Sequence, residues 1–325
     1  MRRRIAVLAG LFYLALPAGA PAQTYPSRPI TFVVTASAGG VTDVVARALG
    51  QRLSEAWGQQ VVIENKGGAA HTIGAAQVAK AAPDGHTVLI AEAGVIVTNP
   101  TLYAKGKLPY DAETDFIPVT GLVRVNQALL ADNALPVANM KELIALAKNK
   151  PGEITYATAG IGSAPHLNLV LLQQLAGVRL TPVHYRGAAP ALNDLMAGHV
   201  NLMSVAVNLA VQPWRAGKLK ILAIGTAERL PEIPDLPTAA ESGLPGYESY
   251  AWFGLFLPAG TPREVVMKLN GETRRVFADP TFREKLLVPQ MFQSMVTEPE
   301  PFAAFIRSEQ AKWAKVIRDA GLKIE

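Results

Sequence analysis

Ile30-Thr31-Phe32-Val33-Val34-Thr35-Ala36-Ser37-Ala38-Gly39-Gly40-Val41-Thr42-Asp43 reads as a strand that turns through two glycines into a helix, and that reading decides the fold. Residues 30–35 carry β-branched and aromatic side chains with little polar interruption, which suits a strand covered on both faces. Beyond Asp43 the apolar residues Val44, Val45, Ala48, Leu49, Leu53 and Ala56 recur on one helical face, and Gly58 closes the helix. Working outward, residues 61–63 form a second short strand. Residues 73–82 form a small-residue helix stopped by Pro83-Asp84-Gly85, and residues 86–91 a third strand. This order predicts parallel strands joined by right-handed crossovers, with helices on both faces of the sheet.

The pattern then restarts. Asn139 is placed to cap a helix that ends at Pro151-Gly152, followed by strands at 154–157, 181–185, 200–205 and 219–225 and helices at 163–176, 188–197 and 209–216. Two segments connect the units: residues 116–130, strand-like but interrupted by Pro118, and the proline-rich 231–245 followed by 249–257. Helices expected at 262–277 and 301–320 have no further strand to flank and return to the first unit. A chain that leaves one lobe, builds a second and returns has a cleft between them, at the carboxyl ends of its strands. The expected domains are lobe 1 over 23–122 and 228–325 and lobe 2 over 123–227.

The beginning of the chain indicates export. Arg2, Arg3 and Arg4 precede an apolar run from residue 5 to 16, Pro17 breaks it, and Ala20-Pro21-Ala22 offers a small-x-small cleavage site. Residues 1–22 are therefore expected to be a signal peptide, and the mature protein to start at Gln23 in the periplasm. The chain has no cysteine, so it forms no disulfide, and no lipid-modified N-terminus is expected. Removing the three leader arginines from the formal charge of +5 leaves +2, with no basic cluster or interleaved aromatics to suit nucleic acid. A monomer without nucleic-acid partners is expected.

Two loops are the candidates for chemistry. Gly39-Gly40 with Thr42 and Asp43 stands between the first strand and its helix, where unpaired amides and the macrodipole favour an anion. Thr42 or Asp43 is placed to cap the helix. The loop lacks the third glycine of a dinucleotide fingerprint and the Gly-Lys-Ser/Thr of a P-loop. Thr158-Ala159-Gly160-Ile161-Gly162-Ser163-Ala164-Pro165-His166 occupies the same place in the second lobe, with Ser163 as N-cap and His166 in the first turn. Each loop alone is equally consistent with a ligand-free turn. Together they predict two anion-binding termini facing one cleft.

Other chemistries are weaker. Ser163 and His166 as a hydrolytic pair lack the Gly-x-Ser-x-Gly context and an acid to orient the imidazole. The five histidines show no metal-ligand spacing and there are no thiols, so no metal or cofactor is expected. Glu92 ends a buried strand on the cleft side, where a solvated carboxylate is the commoner case and contact with a ligand cation the alternative.

A set of motifs resembles the Bug (TctC-like) substrate-binding proteins of tripartite tricarboxylate transporters. They include Tyr25-Pro26-Ser27-Arg28-Pro29-Ile30, Gly39-Gly40 with Thr42-Asp43, Val61-Val62-Ile63-Glu64-Asn65-Lys66, Pro83-Asp84-Gly85, Asn99-Pro100-Thr101-Leu102-Tyr103 and Asp115-Phe116-Ile117-Pro118-Val119. Gly160-Ile161-Gly162-Ser163 with His166-Leu167, Tyr185-Arg186-Gly187, Gly243-Leu244-Pro245-Gly246-Tyr247 and Trp252-Phe253-Gly254-Leu255 extend them over nearly the whole mature chain. The resemblance implies an α/β, two-lobe periplasmic-binding-protein fold (Venus-flytrap, type II), each lobe a mainly parallel sheet flanked by helices. It implies a non-enzymatic capture protein for a small mono- or dicarboxylate, delivered to membrane permease subunits. A sensor kinase of a two-component system is the alternative partner. The implied ligand-binding residues are Gly39, Gly40, Thr42, Asp43, Gly160, Gly162, Ser163 and His166, with Tyr185 added by the resemblance alone. Ala38 and His184 stand where the family usually has proline. Val205 stands where many members have an aspartate, which points to a ligand without an amino group.

Overall fold

The computed structural model describes residues 25–324; the expected leader, residues 1–22, lies outside them. The first lobe opens with β1 (Ile30–Val34), α1 (Val41–Trp57), β2 (Val61–Asn65), α2 (Thr72–Ala79) and β3 (Thr87–Glu92). A π-helical turn (Gly94–Thr98) and the short α3 (Asn99–Leu102) lead to the long strand β4 (Phe116–Ala131). The second lobe holds α4 (Met140–Asn149), β5 (Thr155–Thr158), α5 (Ala164–Ala176), β6 (Thr181–His184), α6 (Ala188–Met196), β7 (Leu202–Ala206), α7 (Val207–Arg215) and β8 (Lys220–Ile224). The chain returns through β9 (Tyr250–Pro258), α8 (Arg263–Ala278), α9 (Pro280–Phe282), α10 (Val288–Gln290), β10 (Phe292–Ser294) and α11 (Pro299–Asp319).

The parallel strands are those the strand–helix alternation predicts: β2-β1-β3 in the first lobe and β6-β5-β7 in the second. The remaining pairings are antiparallel, so the curled sheet is mixed. β4 joins its halves. From Phe116 to Asn126 it pairs with β9, and from Gln127 to Ala131 with β7. At that exchange the Gln127 amide donates to the Ser249 carbonyl at 3.0 Å, and the Gly225 amide to the Gln127 carbonyl at 2.8 Å. Pro118 does not break the strand, because the register shifts between Pro118 and Thr120 and absorbs the missing donor. β10, unexpected from the sequence, adds an edge to β4.

Local chemistry explains the boundaries. Asn139 caps α4 by accepting from the Glu142 amide at 3.0 Å, and Glu142 reaches back to the Ala138 amide at 2.8 Å. Gly177 ends α5 in the left-handed conformation, φ 63°. Ile30, Phe32, Leu49, Leu53 and Leu269 are fully buried between the first sheet, α1 and α8. Each such side chain contributes about 1.5–3 kcal/mol relative to exposure. The last helix does more than return to the first lobe: α11 packs on the π-helical turn, β4 and α5, and the Val316 carbonyl accepts from Gln174 of α5 at 2.9 Å. No helix among the described residues is long and apolar enough to cross a membrane.

Candidate ligand-binding site

The first glycine loop leaves β1 at Thr35 and enters α1 with Gly40 as N-cap and no side-chain cap. Thr42 and Asp43, expected as caps, do not cap it. The first intrahelical bond is Val44 N–H to the Gly40 carbonyl, 3.0 Å. The amides of Val41, Thr42 and Asp43 precede it and remain without helical acceptors. Asp43 instead braces the loop from beneath. Its buried carboxylate accepts from the Gly39 amide at 2.9 Å, Arg47 at 3.0 Å and Asn65 at 3.0 Å. Burial disfavours the charged carboxylate, but the bonds from Arg47, Gly39 and Asn65 outweigh it and hold the group below the usual range. Gly39, with φ 84°, and Gly40 are exposed at the tip.

The second loop is built with neutral partners. Gly160 N–H donates to Thr158 Oγ1 at 3.1 Å, and Gly162 N–H to His166 Nδ1 at 3.1 Å. Because Nδ1 accepts, His166 is the neutral tautomer with its proton on Nε2. Burial, with neighbouring His184 adding to it, pushes its imidazole down to about 4. Ser163 is the N-cap residue of α5, but its hydroxyl donates to the Gly160 carbonyl at 2.7 Å instead of capping. The amides of Ala164 and His166 precede the first intrahelical bond, Leu167 N–H to the Ser163 carbonyl at 2.9 Å, and Pro165 has none. Ser163 and His166 therefore make no nucleophile–base contact. Tyr185, at the end of β6, donates its hydroxyl to Asp194 of α6 at 2.8 Å.

Between the lobes lies a cavity of about 40 Å³. Glu92, Gly94 and Thr98 line it from the first lobe, Gly162, Ala164 and Asn168 from the second. Gly39 and Gly40 lie outside its wall. His71 connects the two regions: its Nδ1 meets the Thr35 carbonyl at 2.5 Å, and its Nε2 meets Glu92 Oε1 at 3.1 Å. Sequence reasoning missed His71 altogether. A larger groove, about 710 Å³, lies elsewhere, against Tyr25, Arg28, Asp84 and Lys268, and holds none of the loop residues. Among the described residues no group of three or more His, Asp or Glu side chains is gathered to hold a metal ion.

A family model described as "Tripartite tricarboxylate transporter family receptor" (TctC) matches residues 45–322. The periplasmic binding protein BugD is 39% identical, with 93% of this chain and 100% of that one covered and a TM-score of 0.78. An R. palustris protein solved with adipate is 37% identical over 92% of this chain and 99% of that one, TM-score 0.81. MatC from Rhodopseudomonas palustris, solved with bound malate, is 36% identical over 90% of this chain and 100% of that one, TM-score 0.76.

Proposed function

The chain belongs to the TctC family, whose members are solute-binding proteins and not enzymes, and on that premise we propose that it captures a small mono- or dicarboxylate between its lobes. Export places the capture in the periplasm, and the loaded protein hands its ligand to the membrane permease subunits of a tripartite tricarboxylate-type transporter. The observation that carries the reading is the pair of glycine-led helices, α1 and α5, one per lobe, whose first-turn amides have no side-chain cap. Adipate and malate in the two R. palustris relatives support a carboxylate as the anion.

The magnitudes require both loops. One helix terminus contributes about 0.3–1 kcal/mol, up to ~2 when partly buried. A charge-assisted hydrogen bond adds about 1.5–3 kcal/mol. Micromolar affinity needs about 8 kcal/mol, which one terminus does not reach and two termini with closure do. Gly39, Gly40, Thr42 and Asp43 shape the first terminus, and Gly160, Gly162, Ser163 and His166 the second. Closure turns lobe 2 (123–227) on lobe 1 (23–122 and 228–325) about β4 and the returning strands.

Ligand-stripped protein heated with adipate, malate, succinate or citrate tests this. At a hundredfold excess over Kd, binding stabilises by about 2.7 kcal/mol and raises Tm by several degrees. No rise with any acid at millimolar concentration defeats the reading.

A further inference from the structure

Three consecutive non-glycine residues, Ala69, Ala70 and His71, have φ of 45°, 52° and 69°. Such strain persists only where the surroundings hold it, and it gathers at functional sites. Here each residue is held. The Ala69 carbonyl accepts from Tyr103 Oη at 3.1 Å and Thr72 Oγ1 at 2.8 Å, and the Ala70 carbonyl from Asn99 at 2.9 Å. The result is to hold His71 between two oxygens, with Nδ1 on the Thr35 carbonyl and Nε2 beside Glu92 Oε1. Glu92 Oε1 is thereby brought within 3.1 Å of His71 Nε2, and among the described residues no hydrogen bond reaches its other oxygen.

Across the same cavity stands Asn168 of α5. It is completely buried, its Nδ2 donates to Ser204 Oγ at 3.2 Å, and its Oδ1 has no hydrogen-bond partner. A buried acceptor left unpaired is costly, and a donor entering the cavity relieves that cost. The other carboxylate on the wall, Glu309, is already satisfied by Tyr250 Oη at 2.8 Å and by the indoles of Trp252 and Trp313, both at 3.2 Å. Among the described residues, Glu92 and Asn168 therefore keep side-chain acceptors on this wall for a ligand donor. At about 40 Å³ the cavity admits a small polar substituent with a water, but not a whole dicarboxylate. Ala164, whose amide begins α5, lies one turn before Asn168 on the same helical face.

We infer that this cavity is a specificity subsite for a hydroxyl or ammonium on the carbon next to the ligand carboxylate held by α5. Glu92 and Asn168 accept its protons, and His71 is a positioning residue for Glu92. The inference rests on the carboxylate-capture reading and deepens it. Glu92 supplies from the first lobe the acceptor that Val205 withholds in the second, so a substituted acid takes precedence over the plain one that Val205 suggested.

Calorimetric titration of the ligand-stripped protein with succinate, malate and aspartate, and with propionate, lactate and alanine, tests it. A substituted acid of either series binds at least about tenfold more tightly than its unsubstituted parent, the ratio one charge-assisted bond supplies. Glu92→Gln removes that ratio for the ammonium compounds and reduces it for the hydroxy acids, while the parent acids change less than about twofold. His71→Asn lowers the ratio in the same direction. Parent acids that bind the native protein as tightly as substituted ones overturn the subsite and leave the capture reading standing. An equal loss for all ligands in Glu92→Gln also overturns it. Binding of adipate but of none of the six overturns the subsite alone, and binding of neither adipate nor any of the six removes both readings.

Discussion

The two glycine loops present the same element, an uncapped helix N-terminus after a parallel strand, and brace it by opposite means. In the first lobe a buried carboxylate, Asp43, gathers Gly39, Arg47 and Asn65. In the second a neutral imidazole, His166, takes the Gly162 amide, while Thr158 and Ser163 bind backbone. Arg47 offsets the Asp43 charge beside the proposed anion site, and the neutral brace needs no offset. The lesson is that an amide cradle is set by what holds its back, and that back can be charged or neutral.

The largest effect expected is at the charged brace. Asp43→Ala leaves the Arg47 head group, the Asn65 amide and the Gly39 amide without their acceptor, and the loss of these charge-assisted bonds costs about 3–4 kcal/mol. Urea unfolding measures it, and carboxylate binding is lost in the folded remainder. The neutral brace shows itself through pH. The folded-state value of His166 lies near 4, below the ordinary 6.5, so between them the unfolded chain binds a proton that the folded chain refuses. Stability is complete above pH 6.5 and falls by up to about 3 kcal/mol as the pH drops towards 4. His166→Gln flattens that slope in denaturation curves. Asp43, also depressed, keeps its contribution until the pH falls through its folded value, below the usual carboxylate range. In mild acid the second loop therefore loosens first, and hydrogen exchange at Gly162 accelerates before that at Gly39.

Two smaller changes sharpen the contrast. Gly162→Ala meets a positive φ of 76° and a Cβ only 2.6 Å from Leu102 Cδ1, whereas Gly39→Ala meets φ 84° and open space. Both pay the left-handed penalty of about 1–2 kcal/mol, and only Gly162→Ala adds crowding, so its melting temperature falls further. Ser163→Ala is expected to have the least effect, under about 1.5 kcal/mol, with carboxylate affinity retained in calorimetry. A large loss there would mean that the hydroxyl, and not the helix amides, holds the ligand.

Most of the fold was legible because its signals are local. The helical face from Val44 to Leu53 and the apolar run from Ile30 to Val34 each carry their own periodicity, and the glycines after α1 and α5 mark their ends. β10 was not legible: three residues with Gln293 and Ser294 exposed have no period to read, and only the partner strand defines them. Both candidate loops were located correctly as strand-to-helix turns, but not their braces. Asp43 finds Asn65 at a distance of 22 residues, and His71 reaches Thr35 across 36, contacts that exist only once β1, β2 and β3 lie side by side. Glu92 left one trace, a carboxylate at the carboxyl end of a buried parallel strand. His71 left none, since its conformation comes from the tertiary bonds around it.

The claim beneath all of this is that the first-turn amides of α1 and α5 hold the ligand's negative charge. A crystal structure with a bound dicarboxylate, malate or adipate, tests it directly. The account predicts carboxylate oxygens about 3 Å from amides among Val41, Thr42 and Asp43 at one end and Ala164 and His166 at the other. A ligand held only by side chains, with both sets of amides beyond hydrogen-bond reach, would contradict it.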